Sequence, residues 1–228
     1  MEWFFGSAES PRRAHPDRFA NTIVEDVLSH VLEIYPAARA DINAVVGYDR
    51  KEGKDSVYLS GNVSSVPGLS KGALDELAHA SVRRLALAVG YSRDSGFDPH
   101  DFLLDSSALN PQSEALEANG RRSGVGDSRV VAGYAEAAGF PGRLPGAVVI
   151  AEDVSAELDR ANGRIPSLLP DGKVQVSLIG ERTLVTISAQ HERGADLGVL
   201  RDRIVGYAVV PAVSGARRDP EKLEVRIN

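Results

Sequence analysis

The chain has 228 residues, 43% hydrophobic and 25% charged, with a net charge of -6 and a pI of about 5.4. This length supports two modest cores, and basic residues are scattered, with only short doublets such as Arg12-Arg13 and Arg83-Arg84, which argues against nucleic acid as a partner. The absence of cysteine excludes disulfides, thiolate metal sites and a cysteine nucleophile, and no apolar run reaches the length of a signal-peptide core or a membrane span, so a cytoplasmic location is expected.

Phe19, Ile23, Val27 and Val31, flanked by Val24, Leu28 and Leu32, predict a helix over residues 18–35 that Pro36 ends. Ala40–Tyr48 reads as a strand, the polar stretch 51–55 with Gly53 as a turn, and Val57–Ser65 as the second arm of a hairpin. After Pro67-Gly68 a helix is predicted over 71–89, with Leu74, Leu77, Val82, Leu85 and Val89 inward, and then a strand over 102–108. Residues 110–146 are rich in Gly, Ser, Asn and Pro; 110–124 is expected to be a mobile loop and a candidate active-site lid. The order then repeats. A helix over 147–162 has Val148, Val149, Val154 and Leu158 as its apolar side. A hairpin follows at 174–178 and 184–187 around Gly180, then a helix over 197–207 and a strand over 223–227.

Two copies of helix–hairpin–helix–strand predict an α/β (α+β) fold of pseudo-repeated units. Each unit has a mostly antiparallel sheet covered by helices on one face. The expected units are 11–126 and 127–228, with 1–10 added to the second as a strand. Bare sheet faces must pack on something, so a homodimer or higher homo-oligomer is expected.

Four segments carry candidate chemistry. His15-Pro16-Asp17-Arg18 opens the first helix, where Pro and Asp also serve a plain helix start. With phosphate drawn to a helix N-terminus and a carboxylate suited to Mg²⁺, the same residues read as a phosphate-and-metal corner. Pro170-Asp171-Gly172-Lys173 reads as a turn entering a strand, with Lys173 as a phosphate or ribose contact. Gly124-Val125-Gly126-Asp127 is a Gly-rich turn, and Ser188-Ala189-Gln190-His191 ends a strand.

Together and in this order the segments resemble methionine adenosyltransferases, the S-adenosylmethionine synthetases. Glu9-Ser10 and His15–Arg18 are similar to the family's opening Glu-Ser and its His-Pro-Asp-Lys motif. Gly61-Asn62 matches a Gly-Glu pair, and Gln112-Ser113 matches the Gln-Ser that opens a mobile active-site loop. Gly124–Asp127 matches a Gly-Ala-Gly-Asp turn, Pro170–Lys173 a Pro-Asp-Gly-Lys segment, and Ser188–His191 a Ser-x-Gln-His. In that family methionine sulfur attacks the 5′ carbon of ATP and expels triphosphate. The resemblance implies His15 and Lys173 as catalytic residues. It implies ATP contacts at His15, Arg18, Asp127, Asp171, Gly172 and Lys173, methionine contacts at Gln112 and Asn62, and Mg²⁺ at Asp17.

The sequence also departs from the family. Arg12-Arg13-Ala14 stands where a Ser-Glu-Gly type sequence does, and Arg18 replaces lysine. Asn43 replaces a glutamate that helps bind K⁺, which removes one ligand for that ion. Asn62 replaces the glutamate that holds the methionine ammonium, leaving a weaker neutral contact. The segment up to Asn228 corresponds to the family's first two domains, and a third is expected to be absent. Two functions follow: S-adenosylmethionine synthesis from ATP and methionine, or a catalytically weak homologue acting as a nucleotide-binding or assembly subunit. Asn62 alone suggests a third, adenosyl transfer to another sulfur substrate.

Overall fold

The computed structural model describes residues 5–64, 69–111, 130, 132–135, 142 and 144–228. The chain divides into two compact units: Pro16–Val131, and Met1–His15 together with Ala132–Asn228. We call them the central and the terminal unit.

The central unit contains α1 (Pro16–Ile34), β2 (Ala40–Asp49), β3 (Lys54–Val63), α2 (Lys71–Val89) and β4 (Phe102–Asn110). Strands β2 and β3 form an antiparallel hairpin, and β4 lies parallel to β3. Parallel neighbours cannot be joined by a tight turn, and α2 supplies the crossover. The predicted row Phe19, Ile23, Val27 and Val31 is buried, while Val24, Leu28 and Leu32 are half-buried. In α2 the seam differs from the predicted one: Leu74, Ala78, Ser81, Val82 and Ala86 are buried, whereas Leu77, Leu85 and Val89 lie at its edge. Spacing by four places the small residues in line with Leu74, and the larger leucines flank them. Ser70 caps α2 by accepting from Ala73 N at 3.1 Å, and Gly90 at φ 90° ends it. Phe19, Tyr91, Phe97 and Phe102 form a ring cluster with centroids 5.4–5.6 Å apart, which anchors the first turns of α1.

The terminal unit begins with β1 (Phe5–Pro11) and continues with α3 (Gly146–Arg160), β5 (Leu168–Ile179) and β6 (Arg182–His191). Helix α4 (Leu197–Ile204), a wide π turn at Val205–Val209 and α5 (Val210–Gly215) follow, then β7 (Leu223–Ile227). The sheet order is β1-β5-β6-β7, with only the β6–β7 pairing parallel. The helix expected to stop at Tyr207 thus runs on to Gly215. Pro211 has no N–H for the preceding turn, and the helix widens just before it. The core joins Ile150, Val154 and Leu158 of α3 to Val174, Val176, Val185 and Ile187 of the sheet and to Leu200, Ile204 and Val213. Val148 and Val149, expected inward, are half-buried; Ala147, Ile150 and Ala151 hold that face instead.

The α–β–β–α–β order occurs in both units, and three of the five strand pairings among the described residues are antiparallel. Among those residues no helix is long and apolar enough to cross a membrane.

Candidate functional site

Strand β5 starts with an irregularity that the turn reading of Pro170-Asp171-Gly172 did not anticipate. Leu168 pairs with His191 and Gly172 with Ala189, so four steps on β5 oppose two on β6. The segment is a bulge within the strand. Gly172 has φ 154°, and a Cβ there would lie 2.4 Å from the Ser188 carbonyl oxygen. Only glycine permits that approach. The Asp171 carboxylate accepts the Gly172 N–H at 2.6 Å, and Gln190 Oε1 accepts the Asp171 N–H at 3.3 Å.

Arg12 lies under this bulge and is fully buried. Its backbone N–H donates to the Gly172 carbonyl at 2.9 Å. Its Nε donates to Asp159 Oδ1 at 3.0 Å, Nη1 to the carbonyls of Leu169 (2.6 Å) and Asp171 (3.3 Å), and Nη2 to that of Leu158 (3.2 Å). Burial lowers the Arg12 pKa from its usual value, and Asp159 opposes that shift. Arg12 also explains why residues 11–15 belong to the terminal unit rather than to the central one: its side chain is tied to α3 and β5.

The register brings Pro11, Lys173 and Ser188 into one row across β1, β5 and β6. Val174, Val176 and Leu178 are buried against the helices, so Lys173 and Gln175 occupy the bare face. There Lys173 Nζ pairs with Glu9 Oε1 at 2.9 Å, both side chains being partly exposed. Half-buried His15 donates its backbone N–H to the Arg12 carbonyl at 2.9 Å. The terminal unit thus gathers Glu9, Asp171, Gly172, Lys173 and Gln190 at one end of its sheet, with His15 close behind in the chain. His191 Nδ1 is within 2.9 Å of the Glu192 carbonyl.

The central unit carries a second group. Asp17 and Arg18 are exposed in the first turn of α1, where positive helix potential favours an anion. Asn43 and Asn62 lie on the sheet face opposite the side that buries Ile42, Val57, Leu59 and Val63. Asn43 pairs with Ser60 and Asn62 with Asp41. Gln112, Asp127 and most of the 110–124 loop lie outside the described residues.

Among the described residues no group of three His, Asp or Glu side chains could hold a metal ion. Asp17 offers one oxygen donor at a helix start, which fits Mg²⁺ bound partly through substrate phosphates. Sequence patterning missed Arg12, because a buried arginine looks like any surface arginine in a charge count. It also missed the Glu9–Lys173 pair, which only strand register reveals.

A scan against protein-family models found no match. The S-adenosylmethionine synthase of Tropheryma whipplei (strain Twist) is 30% identical over 254 aligned residues, covering 97% of this chain and 60% of that protein. S-adenosylmethionine synthase 1 of Rhodospirillum rubrum is 28% identical, covering 94% of this chain and 56% of its own length. The S-adenosylmethionine synthase of Desulforudis audaxviator is also 28% identical, covering 91% and 54%. The chain spans between about half and three-fifths of the length of these curated relatives. The 30% identity over 97% of this chain identifies it as a member of the S-adenosylmethionine synthase family over the part that it spans.

Proposed function

We propose that the chain binds ATP and methionine and serves adenosyl transfer to the methionine sulfur with release of triphosphate. The observation that carries this reading is the sheet end of the terminal unit, where the Asp171-Gly172-Lys173 bulge, Glu9 and the His15 turn come together. His15 assists at the 5′ oxygen, and Lys173 meets the nucleotide with its ammonium. Arg18 supplies a further cation, and Asp17 would hold Mg²⁺. Bound Mg²⁺ supplies neutralisation of the triphosphate oxygens. Stabilising a polyanionic leaving group is an electrostatic task, and cations already in place do it without reorganisation. Gln112, Asp127 and Asn62 complete the proposed contacts, with Gln112 and Asn62 on the methionine side. The sheet faces opposite the helices support self-association as a homodimer, and the proposed setting is the cytoplasm.

Asn43 and Asn62 favour a second reading, a nucleotide-binding or assembly subunit with weak catalysis, since both residues are neutral where the family has carboxylates. One experiment separates them: titrate the protein with Mg-ATP by calorimetry, then assay S-adenosylmethionine formation with methionine added. Binding and product together support the enzyme. Binding without product supports the subunit. No binding of ATP would sink the enzyme and the nucleotide-binding subunit and leave only an assembly role.

A further inference from the structure

Arginine is almost never fully buried unless its charge and its donors are matched. Arg12 meets that condition with four hydrogen bonds from its guanidinium, and its partners are informative. Two belong to α3: the Asp159 carboxylate and the Leu158 carbonyl. Two are carbonyls of the β5 bulge, Leu169 and Asp171. The stem takes part as well, since a Cβ on Gly172 would lie 3.2 Å from Arg12 Cδ. Nearby bonds reinforce the same joint: Ser155 Oγ donates to the Pro11 carbonyl at 3.2 Å, and Arg13 N to Asp159 Oδ2 at 3.2 Å. A bulge breaks the ladder and leaves carbonyls without strand partners. Here one guanidinium collects them and fixes them to a helix end.

We propose that Arg12 is the positioning residue of the nucleotide corner: it sets the shape of the Leu169–Gly172 bulge and so the placement of Asp171 and Lys173. The inference rests on the nucleotide role proposed for those two residues. A planar guanidinium spans four acceptors in fixed directions, whereas a lysine ammonium is a point charge on a flexible stem. Arg12→Lys therefore keeps a charge beside Asp159 and loses the span.

The test separates positioning from stability. In the double variant Arg12→Met, Asp159→Leu, apolar groups replace the buried ion pair, a change that is often close to neutral for stability. Arg12→Lys serves as the conservative variant, and Lys173→Ala sets the size of a direct loss. We measure the melting temperature, Mg-ATP affinity by calorimetry, and backbone order parameters at Asp171 and Gly172 by NMR. The double variant is expected to stay folded but to melt below the wild type, because the Leu158, Leu169 and Asp171 carbonyls lose their donor. It is expected to bind ATP at least roughly tenfold more weakly, as small misplacements of binding groups do, and to lose order at Asp171 and Gly172 but not at Val185. Arg12→Lys is expected to show the same loss of affinity without rescue. Wild-type affinity in the double variant, or unchanged order at the bulge, overturns the inference. If wild type and Lys173→Ala alike bind no ATP, the nucleotide reading fails instead, and the order parameters still decide whether Arg12 holds the bulge.

Discussion

Asp41 and Asn62 are direct partners across the β2–β3 hairpin, on the sheet face opposite the one that buries Ile42, Val57, Leu59 and Val63. Asp41 is exposed and Asn62 half-buried. Between them the backbones approach closely, because a Cβ on Gly61 would lie 1.9 Å from the Asp41 carbonyl oxygen. A glutamate at position 62 would face Asp41 with like charge. Directly opposed like charges in a sheet cost about 0.2–1 kcal/mol. Asn62→Glu is therefore expected to lower stability by that amount, and Asp41→Asn in the same chain to restore it. Urea denaturation of the two single variants and the double variant measures the coupling. If methionine binds here, Asn62→Glu also gains a charge-assisted contact to its ammonium, and methionine affinity rises despite the lower stability.

Two glycines in the strands carry more than flexibility. Gly172→Ala would place a methyl 2.4 Å from a backbone oxygen, and Gly61→Ala one 1.9 Å from another. Neither neighbour can move without shifting a strand. Each substitution is expected to cost about 2–3 kcal/mol, the range for backbone strain and close contact. Gly180→Ala is the control. It has φ 57° in the β5–β6 turn, with no atom within 4 Å of the added carbon. Its cost is expected to stay near 1 kcal/mol. Denaturation midpoints that do not separate the first two from the third would contradict this account.

How much of this was legible in the sequence depends on what each residue signals. Helix α2 was predicted at its observed ends from its apolar spacing after Pro67-Gly68, and the structure shows Ser70 and Gly90 capping it. The strand 223–227 was also placed correctly. The inner face of α2 was assigned in part: Leu74 and Val82 are buried as predicted, but the pattern rewards leucine, and Ala78, Ser81 and Ala86 complete the seam in place of Leu77, Leu85 and Val89. The bulge at Pro170–Gly172 looked like a turn because turns and bulges ask for the same residues. Motif order singled out Asp171 and Lys173 as candidates, but nothing local to Arg12 marked it as buried, since its partners lie more than 140 positions away.

Acid should weaken the central unit through two carboxylates. At Asp26, burial alone would raise the pKa, but the ion pair with Arg84, Ser81 and the nearby His30 outweigh it, and the net shift is downward. At Asp75, burial is likewise outweighed by Lys71 and by Ser106 Oγ, which donates to Asp75 Oδ1 at 2.6 Å. Both folded pKa values lie below their unfolded counterparts of about 3.9. The stabilisation is then present above about pH 4 and is lost as pH falls through the depressed folded values. Asp26→Asn and Asp75→Asn are expected to melt lower at neutral pH and to lose less on acidification. Thermal melts from pH 7 down to about pH 2 read this directly, and parallel curves for wild type and variants would count against it. Lys71 and Asp75 together tie the start of α2 to β4: Lys71 Nζ donates to the Ser106 carbonyl at 2.8 Å, and Ser106 Oγ donates to Asp75. Ser106→Ala should cost about 1 kcal/mol at neutral pH, the typical net worth of a hydrogen bond.

The Glu9–Lys173 pair gives the sharpest check on the nucleotide corner. Both side chains are more than a third exposed, so the pair contributes little to folding. Glu9→Gln is expected to change stability by less than about 0.5 kcal/mol. Its effect on ligand binding should be larger and opposite in sign. A carboxylate 2.9 Å from the Lys173 ammonium competes with any phosphate for that cation and repels the phosphate itself. Removing the negative charge should raise Mg-ATP affinity several-fold at low salt, with the gain shrinking as ionic strength rises and the Debye length falls below about 10 Å. Lys173→Ala should weaken ATP binding, and Glu9→Gln should then add little, because its benefit acts through Lys173. Calorimetric titration of the four proteins at two salt concentrations completes the cycle. A Glu9→Gln variant that binds ATP no better at low salt would mean that Lys173 meets the nucleotide away from the phosphates. A gain that persists in the absence of Lys173 would mean that the carboxylate acts on the ligand alone.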